Sequence, residues 1–293
     1  MPNLNQIKTK IKSVQNLKKI TRALEVVSTV KLQKTKDKAE NLKTYLLDLM
    51  YILNNTATKT SIFEQEQTNS NKNLVIVITS ERGLCWWLNS KLLKKVHNEY
   101  HNLKENTDFF VIWKKWLEFI SRNQYNIVWS LSVSDSFNQE ELKMLFDYID
   151  YSVNNWTYKN IKIYFNFFNN TLTQTPTSLD LFPISRESFN EFLNELNIDY
   201  QNTADFRGRD LLIEPDKETV VNEIKRQIRN YFIMSALIQN KTWEFASRMI
   251  AMKNAKDNSE STIHDLTLTF NKLRQGSITQ EISEIVGAKT ALE

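Results

Sequence analysis

The 293-residue sequence carries a net charge of +4 and contains only four glycines and four prolines, which favours long helices without breaks. Its one cysteine, Cys85, excludes an internal disulfide and is typical of proteins from a reducing compartment. The sequence shows no signal peptide and no apolar run of membrane-spanning length. We therefore expect a soluble intracellular protein with no direct membrane insertion.

The first fifty residues predict one long amphipathic helix. Residues 3–53 contain no glycine or proline, and apolar side chains recur every three or four positions at Leu4, Ile7, Ile11, Val14, Leu17, Ile20, Leu24, Val27 and Val30. Ten lysines and arginines crowd between Lys8 and Lys38. This charge suits an acidic protein surface, an anionic lipid or a nucleic acid, and a solvated helix face explains it equally well.

The middle of the chain predicts an α/β module. A polar linker is followed by "LVIVITS" (74–80), a short apolar and β-branched run that is typical of a buried strand. Helical and strand patterns then alternate, with strands expected at 109–113, 127–133 and 161–168 and helices at 89–103, 114–122 and 139–153. This alternation predicts a Rossmann-like module with a mostly parallel sheet, followed by an extended piece near "LDLFPIS".

A second long helix is predicted at the C-terminal end. The segment "EPDKETVVNEI" has the acidic first turn of a helix start, and apolar periodicity continues from there to Ile285 without proline. A helix of about 70 residues would be roughly 100 Å long. Its simplest partner is the first helix, in an antiparallel coiled coil. Because the second helix is longer, we expect an apolar tip to protrude and to need a sleeve in another protein, with Ile282, Ile285, Val286 and Leu292 as its residues.

These patterns divide the chain into four parts. We predict an N-terminal coiled-coil helix over 1–55, a linker over 56–73, a globular α/β module over 74–211 and a C-terminal coiled-coil helix over 212–293 that pairs with the first. The fold class is α/β plus a long antiparallel coiled coil, with the module inserted between the two helices of the shaft.

Four sequence blocks, in order along the chain, carry a resemblance to a known family. They are "IKTKIKSVQNLKKITRALEVVSTVKLQK", "ERGLC…LNSKLLK", "LLIEPDKETVV" and "ASRMIAMKNAKDNSESTIHDLTLTFNKLRQGSITQEISEIVGA". The sequence is similar in these blocks to the gamma subunit, the central stalk, of rotary F-type ATP synthases. Between about residues 98 and 207 little beyond the architecture matches.

The resemblance implies a rotor shaft that is not itself an enzyme. Such a shaft turns inside a ring of alpha and beta subunits, and the catalytic sites lie on beta. Residues of this sequence that match the family's contacts to acidic "catch" loops of beta are Leu24, Arg274, Gln275 and Thr279. The apolar tip matches the part held in the ring's hydrophobic bearing. The module would lie at the foot of the shaft, where the family meets the epsilon subunit and the membrane rotor ring, so the complex would sit on the cytoplasmic, inner face of the cell membrane.

The adjacent Trp86 and Trp87 depart from the family, which commonly has two glycines there. Either both indoles are buried in the module's own core, or they form a new interface at the foot. The second interpretation allows the foot to drive a replacement partner. The driven process is then either proton translocation, as in an ATP synthase, or another mechanical output of a specialised ATP-hydrolysing motor, such as cell-surface motility.

Other chemistry finds little support in the sequence. No second glycine lies between Gly83 and Lys91 to form a phosphate loop, and His97 and His101 have no evident third metal ligand. We therefore predict no catalytic residue, cofactor or metal. A basic coiled-coil protein that binds nucleic acid or acts as a scaffold is the alternative, but the many acidic residues of the second helix argue against nucleic acid.

Overall fold

The computed structural model describes residues 4–56, 63, 70–81, 86–113, 117–137, 139–170, 174–198 and 213–292. The chain divides into two compact units. We call Met1–Val30 with Arg248–Glu293 the helix-pair unit, and Lys31–Ser247 the α/β unit. The predicted four-part division of the chain stays a prediction, and most of its linker lies outside the described residues. In the described part of the chain, none of the helices combines the length and hydrophobicity that a membrane crossing requires.

Two helices are far longer than the rest. The first, α1, spans Leu4–Thr56, and the last, α6, spans Lys217–Leu292. Each contributes residues to both units. The long helices expected from the unbroken apolar periodicity are confirmed.

The α/β unit is built on one five-stranded sheet in the order β3-β2-β1-β4-β5. Its strands are β1 (Asn73–Ile78), β2 (Thr107–Ile112), β3 (Asn126–Leu131), β4 (Asn160–Phe168) and β5 (Gln174–Phe182). Its shorter helices are α2 (Trp86–Tyr100), α3 (Leu117–Arg122), α4 (Gln139–Asn154) and α5 (Arg186–Glu195), and a 3₁₀ helix at His101–Asn106 follows α2. The first four strands are parallel, and β5 runs antiparallel to β4. The predicted module is thus confirmed, with a mixed sheet.

The central strand β1 is buried on both faces, as its continuous apolar run predicts. Leu74, Ile76 and Ile78 face one core, together with apolar residues of α1, α4, α5 and α6. Val75 and Val77 face a second core with α2. The sheet is therefore covered on both faces. Polar side chains from different elements can come together at the ends of its strands.

The structure corrects two predictions in this unit. The extended piece after β4 is a full strand, β5, followed by the unpredicted helix α5, whose Ser185 caps it by accepting a hydrogen bond from the backbone N–H of Ser188. Helix α2 begins at Trp86 and not near Asn89, so the two tryptophans stand in its first turn and not in the preceding turn. The side chains of both tryptophans lie outside the described residues.

The helix-pair unit is antiparallel, as predicted. Lys18 pairs with Glu260 at 2.6 Å, and Glu25 pairs with Lys256 at 3.0 Å, so residue numbers rise along α1 as they fall along α6. The face of α1 that pairs with α6, which we call the seam, is apolar only as far as Val14. Its buried and half-buried positions are Leu4, Ile7, Ile11, Val14, Lys18, Thr21, Glu25 and Ser28.

The predicted apolar seam is wrong beyond Val14. Leu17, Ile20, Leu24, Val27 and Val30 are 40–58% exposed and do not line the pairing face. The seam steps four residues from Val14 to Lys18, whereas the apolar series steps three residues to Leu17, which turns it about 100° around the helix. Small side chains such as Thr21 and Ser28 take the seam positions instead.

Candidate functional site

The apolar residues of α1 that lie off the pairing face form an exposed surface. They are Leu17, Ile20, Leu24, Val27 and Val30. These five side chains lie at roughly helical repeat along one face of the helix-pair unit, and the exposed basic residues Lys19 and Arg22 lie on other faces of the same turns. A soluble helix pair normally turns such a series inward. An outward series therefore marks a surface that another protein covers, and its chemistry suits an apolar and acidic partner.

A second exposed surface is the C-terminal tip of α6. From Ile278 to Lys289 every residue is exposed. Ile278, Ile282, Ile285 and Val286 are 48%, 56%, 70% and 58% exposed, and their spacing places them on one stripe of the helix. Three of the four predicted tip residues, Ile282, Ile285 and Val286, are thus exposed in this unit, and their role as a bearing tip stays a prediction. The helix ends at Leu292, whose side chain lies outside the described residues.

The four predicted catch-loop residues are all exposed, but they lie at two levels of the helix pair. Leu24 adjoins Glu25, which is paired with Lys256 of α6. Arg274 lies eighteen residues beyond Lys256, a distance of about 27 Å along the helix. Gln275 and Thr279 stand beside it, and the Thr279 hydroxyl donates to the Gln275 carbonyl at 2.9 Å. Their contact with beta subunits stays a prediction.

In the α/β unit, the position where such sheets usually bind a ligand is occupied by α6. In open α/β sheets ligands bind at the carboxyl ends of the strands where the strand order reverses, which is here between β1 and β4. Asn240 of α6 is buried there. Its Nδ2 donates to the Thr79 carbonyl oxygen at 2.8 Å, and its Oδ1 accepts from the backbone N–H of Asn166 at 3.4 Å. The crevice is therefore closed by the protein's own helix.

The next residue of α6, Lys241, lies in a buried charged cluster. Its side chain is 0% exposed, and its Nζ lies 3.0 Å from Glu81 Oε2, 3.1 Å from Asp135 Oδ1 and 3.4 Å from Glu244 Oε2. The same Nζ stands 4.5 Å from the centre of the Trp113 ring, where a cation is attracted to the π-system. We call these five residues the Lys241 cluster.

Asp135 makes the cluster sensitive to acid. Burial acts to raise the pKa of Asp135, but the hydrogen bond from Lys31 and the charge of Lys241 outweigh it, so this pKa lies below its usual value. A lowered carboxyl pKa stabilises the folded state above about pH 4, and that contribution is lost as the pH falls through the lowered pKa. We expect Asp135→Asn to flatten the loss of unfolding free energy between about pH 5 and pH 2 in urea titrations. Equal slopes for both proteins would contradict this assignment.

The histidine pair has an ordinary structural environment. The rings of His97 and His101 meet edge to face at 4.8 Å, and His97 Nδ1 shares a hydrogen bond with the Tyr125 hydroxyl at 2.9 Å. Among the residues that the structure describes, no three His, Cys, Asp or Glu side chains are grouped to hold a metal ion. Gly83 and Cys85 lie outside the described residues.

Sequence and structure comparisons point to one family. The model of the ATP synthase family matches residues 3–292. The ATP synthase gamma chain of Stenotrophomonas maltophilia is 33% identical over 302 residues, covering 100% of both chains. The gamma chain of Mycoplasma mycoides subsp. mycoides is 32% identical, covering 99% of both.

Solved structures show the same fold. A chain of the Euglena gracilis mitochondrial ATP synthase (OSCP/F1/c-ring, rotational state 3) matches with a TM-score of 0.64 at 19% identity, covering 99% of this chain and 94% of that one. A chain of the Tetrahymena thermophila mitochondrial ATP synthase (central stalk/c-ring) matches with a TM-score of 0.58 at 20% identity, covering 80% and 99%. At these identities the likeness supports the fold alone.

The helix pair has apolar side chains on its outer surface, and the ligand crevice of the sheet is closed. Both are features of a stalk protein, that is, a subunit that is bound by the other subunits around it. The family match and the identity over the full length make the assignment specific: the chain belongs to the family of ATP synthase gamma chains. Gamma chains are the central stalk of F-type ATP synthases, in which catalysis takes place on the beta subunits, and this chain is a non-catalytic subunit of such a rotary complex. The nucleic-acid-binding or scaffold alternative finds no support in these matches.

Proposed function

We propose that this chain is the rotating shaft of a rotary ATPase, turning inside a ring of alpha and beta subunits and coupling rotation to ATP hydrolysis or synthesis. The observation that carries the proposal is the exposed apolar stripe of Ile278, Ile282, Ile285 and Val286 at the end of α6. Four large aliphatic side chains in water cost several kcal/mol relative to burial, at about 1.5–3 kcal/mol each. An apolar bearing in the ring removes that cost.

The shaft contacts the ring at the two levels described above. Arg274, Gln275 and Thr279 near the tip, and Leu24 lower on α1, face the acidic catch loops of beta. Support comes from their exposure and from the many exposed basic residues of α1. Each angle of an asymmetric shaft then favours a different conformation of each beta subunit, which is how rotation and nucleotide binding are linked.

The α/β unit forms the foot and delivers torque to a membrane rotor ring with the help of an epsilon subunit. The complex is then peripheral, on the inner face of the cell membrane. The titles of the similar Euglena and Tetrahymena structures name a c-ring, which supports this arrangement. In that arrangement the driven process is proton translocation. A specialised ATP-hydrolysing motor with another foot partner is the second candidate, and the Trp86–Trp87 pair favours it.

Native purification of the complex with an affinity tag, followed by mass spectrometry, tests the proposal. Recovery of alpha, beta and epsilon subunits with the membrane ring would support the conventional synthase. Recovery of alpha and beta subunits with different proteins at the foot would support the specialised motor. Purification of the chain without any ring subunit would contradict the shaft itself.

The tryptophan pair provides a separate prediction at the foot. If Trp86 and Trp87 form an interface there, replacing both by alanine should weaken foot binding by about 30-fold or more, since buried tryptophans at interfaces contribute about 2 kcal/mol or more. Affinity for the purified foot partner is the measurement. Trp156→Ala, which removes a 42% exposed tryptophan elsewhere in the α/β unit, is the matched control. Unchanged affinity with a lower melting temperature would show that the pair packs in the core.

A further inference from the structure

We propose that Lys241 is a positioning residue for torque transfer: the Lys241 cluster locks α6 and α1 to the sheet, so that the α/β unit turns with the two helices without slip. This inference rests on the proposed function and names the joint through which torque passes.

The cluster ties together separate parts of the α/β unit. Lys241 and Glu244 belong to α6, Glu81 follows β1, and Asp135 follows β3. Lys31 of α1 donates a hydrogen bond to the same Asp135. One carboxylate is thus held by a lysine from each long helix, and both helices continue beyond this unit. A twist applied to either helix therefore reaches the sheet at this point.

Directional bonds on two sides of α6 oppose rolling of the helix. Asn240 hydrogen-bonds to Thr79 just after β1 and to Asn166 of β4, whereas Lys241, about 100° further around the helix, hydrogen-bonds to Glu81 after β1 and forms an ion pair with Asp135 after β3. Apolar burial is non-directional, so by itself it sets no particular angle of the helix about its axis. Charge-assisted hydrogen bonds have fixed lengths and angles, so they resist rotation from the first degrees.

Stability alone does not explain a buried charge cluster. Apolar residues of similar volume usually stabilise a core as well as a buried ion pair or better, because two charges lose their hydration. Lys241 is 0% exposed and Glu244 is 1% exposed, so both carry that penalty. What the ions add is a defined geometry, which matters in a part that transmits force.

The test uses the assembled complex, because torque exists only there. The ring is fixed to glass, and a bead is attached to the α/β unit through Asn154→Cys on α4 in a Cys85→Ser background. With the motor stalled, the width of the bead's angular fluctuation reports how stiffly the unit is held. The variant is Lys241→Met with Glu244→Gln, which removes the cation and its most buried anion together. Asp135 keeps Lys31, and Glu81 keeps access to water.

We expect the angular variance to rise at least twofold while the rate of ATP hydrolysis stays unchanged. Glu81→Gln, which removes one partly exposed partner, should give a smaller rise and guards against a double variant that fails to assemble. Arg226→Met is the matched control, because it removes a surface ion pair with Asp150 in the same unit. Unchanged variance in active complexes of both cluster variants would overturn the inference and leave the shaft intact. Failure of the unaltered chain to join a ring would overturn the proposed function as well.

Discussion

Replacing Lys241 by methionine is expected to lower the free energy of unfolding of the protein by about 3–5 kcal/mol. Methionine fills a similar volume but leaves Glu244, which is 1% exposed, as a buried carboxylate without its ion pair to Lys241. Removing one partner of a buried ion pair costs more than removing both, because the remaining charge stays buried with less compensation for its lost hydration. Urea unfolding followed by circular dichroism measures the change.

The charge-balanced double variant separates this mechanism from a simple loss of packing. Adding Glu244→Gln to Lys241→Met should recover about 1–3 kcal/mol, since the buried negative charge is gone. Arg226→Met should lower the free energy of unfolding by no more than about 1 kcal/mol. The Arg226 side chain is 45% exposed, so water screens its ion pairs. A single variant as stable as the control would show that water reaches Glu244 and that the cluster is not a closed site.

Much of the fold follows from periodicity in the sequence. The unbroken three-and-four spacing predicted α1 and α6, and the β-branched run 74–80 predicted the central strand, because burial on one helix face or on both sheet faces directly selects these patterns. Strand β5 was less visible. It alternates polar and buried residues over a short length, as an edge strand with one wet face does.

The pairing face of α1 could not be predicted from hydrophobicity. Sequence reasoning assigned the largest apolar side chains to the seam, because an isolated helix pair would bury them. The structure places Thr21 and Ser28 there and leaves Leu24 outside. A helix of a subunit that works inside another assembly has two apolar faces. Its sequence alone does not show which face packs against its partner helix and which face another subunit covers.

The Lys241 cluster was missed for a related reason. Lysine and glutamate are normally exposed, so the run "QNKTWE" in α6 reads as a solvated turn of the helix. In the structure all six residues, from Gln239 to Glu244, are buried. The only signal in the sequence was that apolar residues precede and follow this run. That pattern is typical of a helix that is buried on all its faces. Such a helix needs polar partners from elsewhere, and their identity depends on the tertiary fold.

Charging the tip of α6 is the second change with a large expected effect. Replacing both Ile282 and Ile285 by aspartate should weaken binding of the chain to an alpha/beta ring by about 100-fold or more. Each isoleucine contributes about 1.5–3 kcal/mol when an apolar bearing covers it, and a carboxylate adds a further cost of desolvation. The stability of the isolated chain should not change, because the two side chains are 56% and 70% exposed there. Binding of fluorescently labelled chain to purified ring measures the affinity.

A negative charge on the opposite side of the same helix turn serves as the control. It distinguishes the loss of apolar contact with a bearing from general charge repulsion between the tip and the ring. Gln280 lies about 160° around the helix from Ile282, so Gln280→Asp adds a negative charge away from the apolar stripe. If the bearing covers the stripe alone, this control should bind within a few-fold of the unaltered chain. Equal losses for both changes would indicate that a negative ring surface repels any acidic tip. Equal affinity for all three proteins would mean that the tip turns freely, and the ring would then hold the shaft by the catch-loop levels at Leu24 and Arg274.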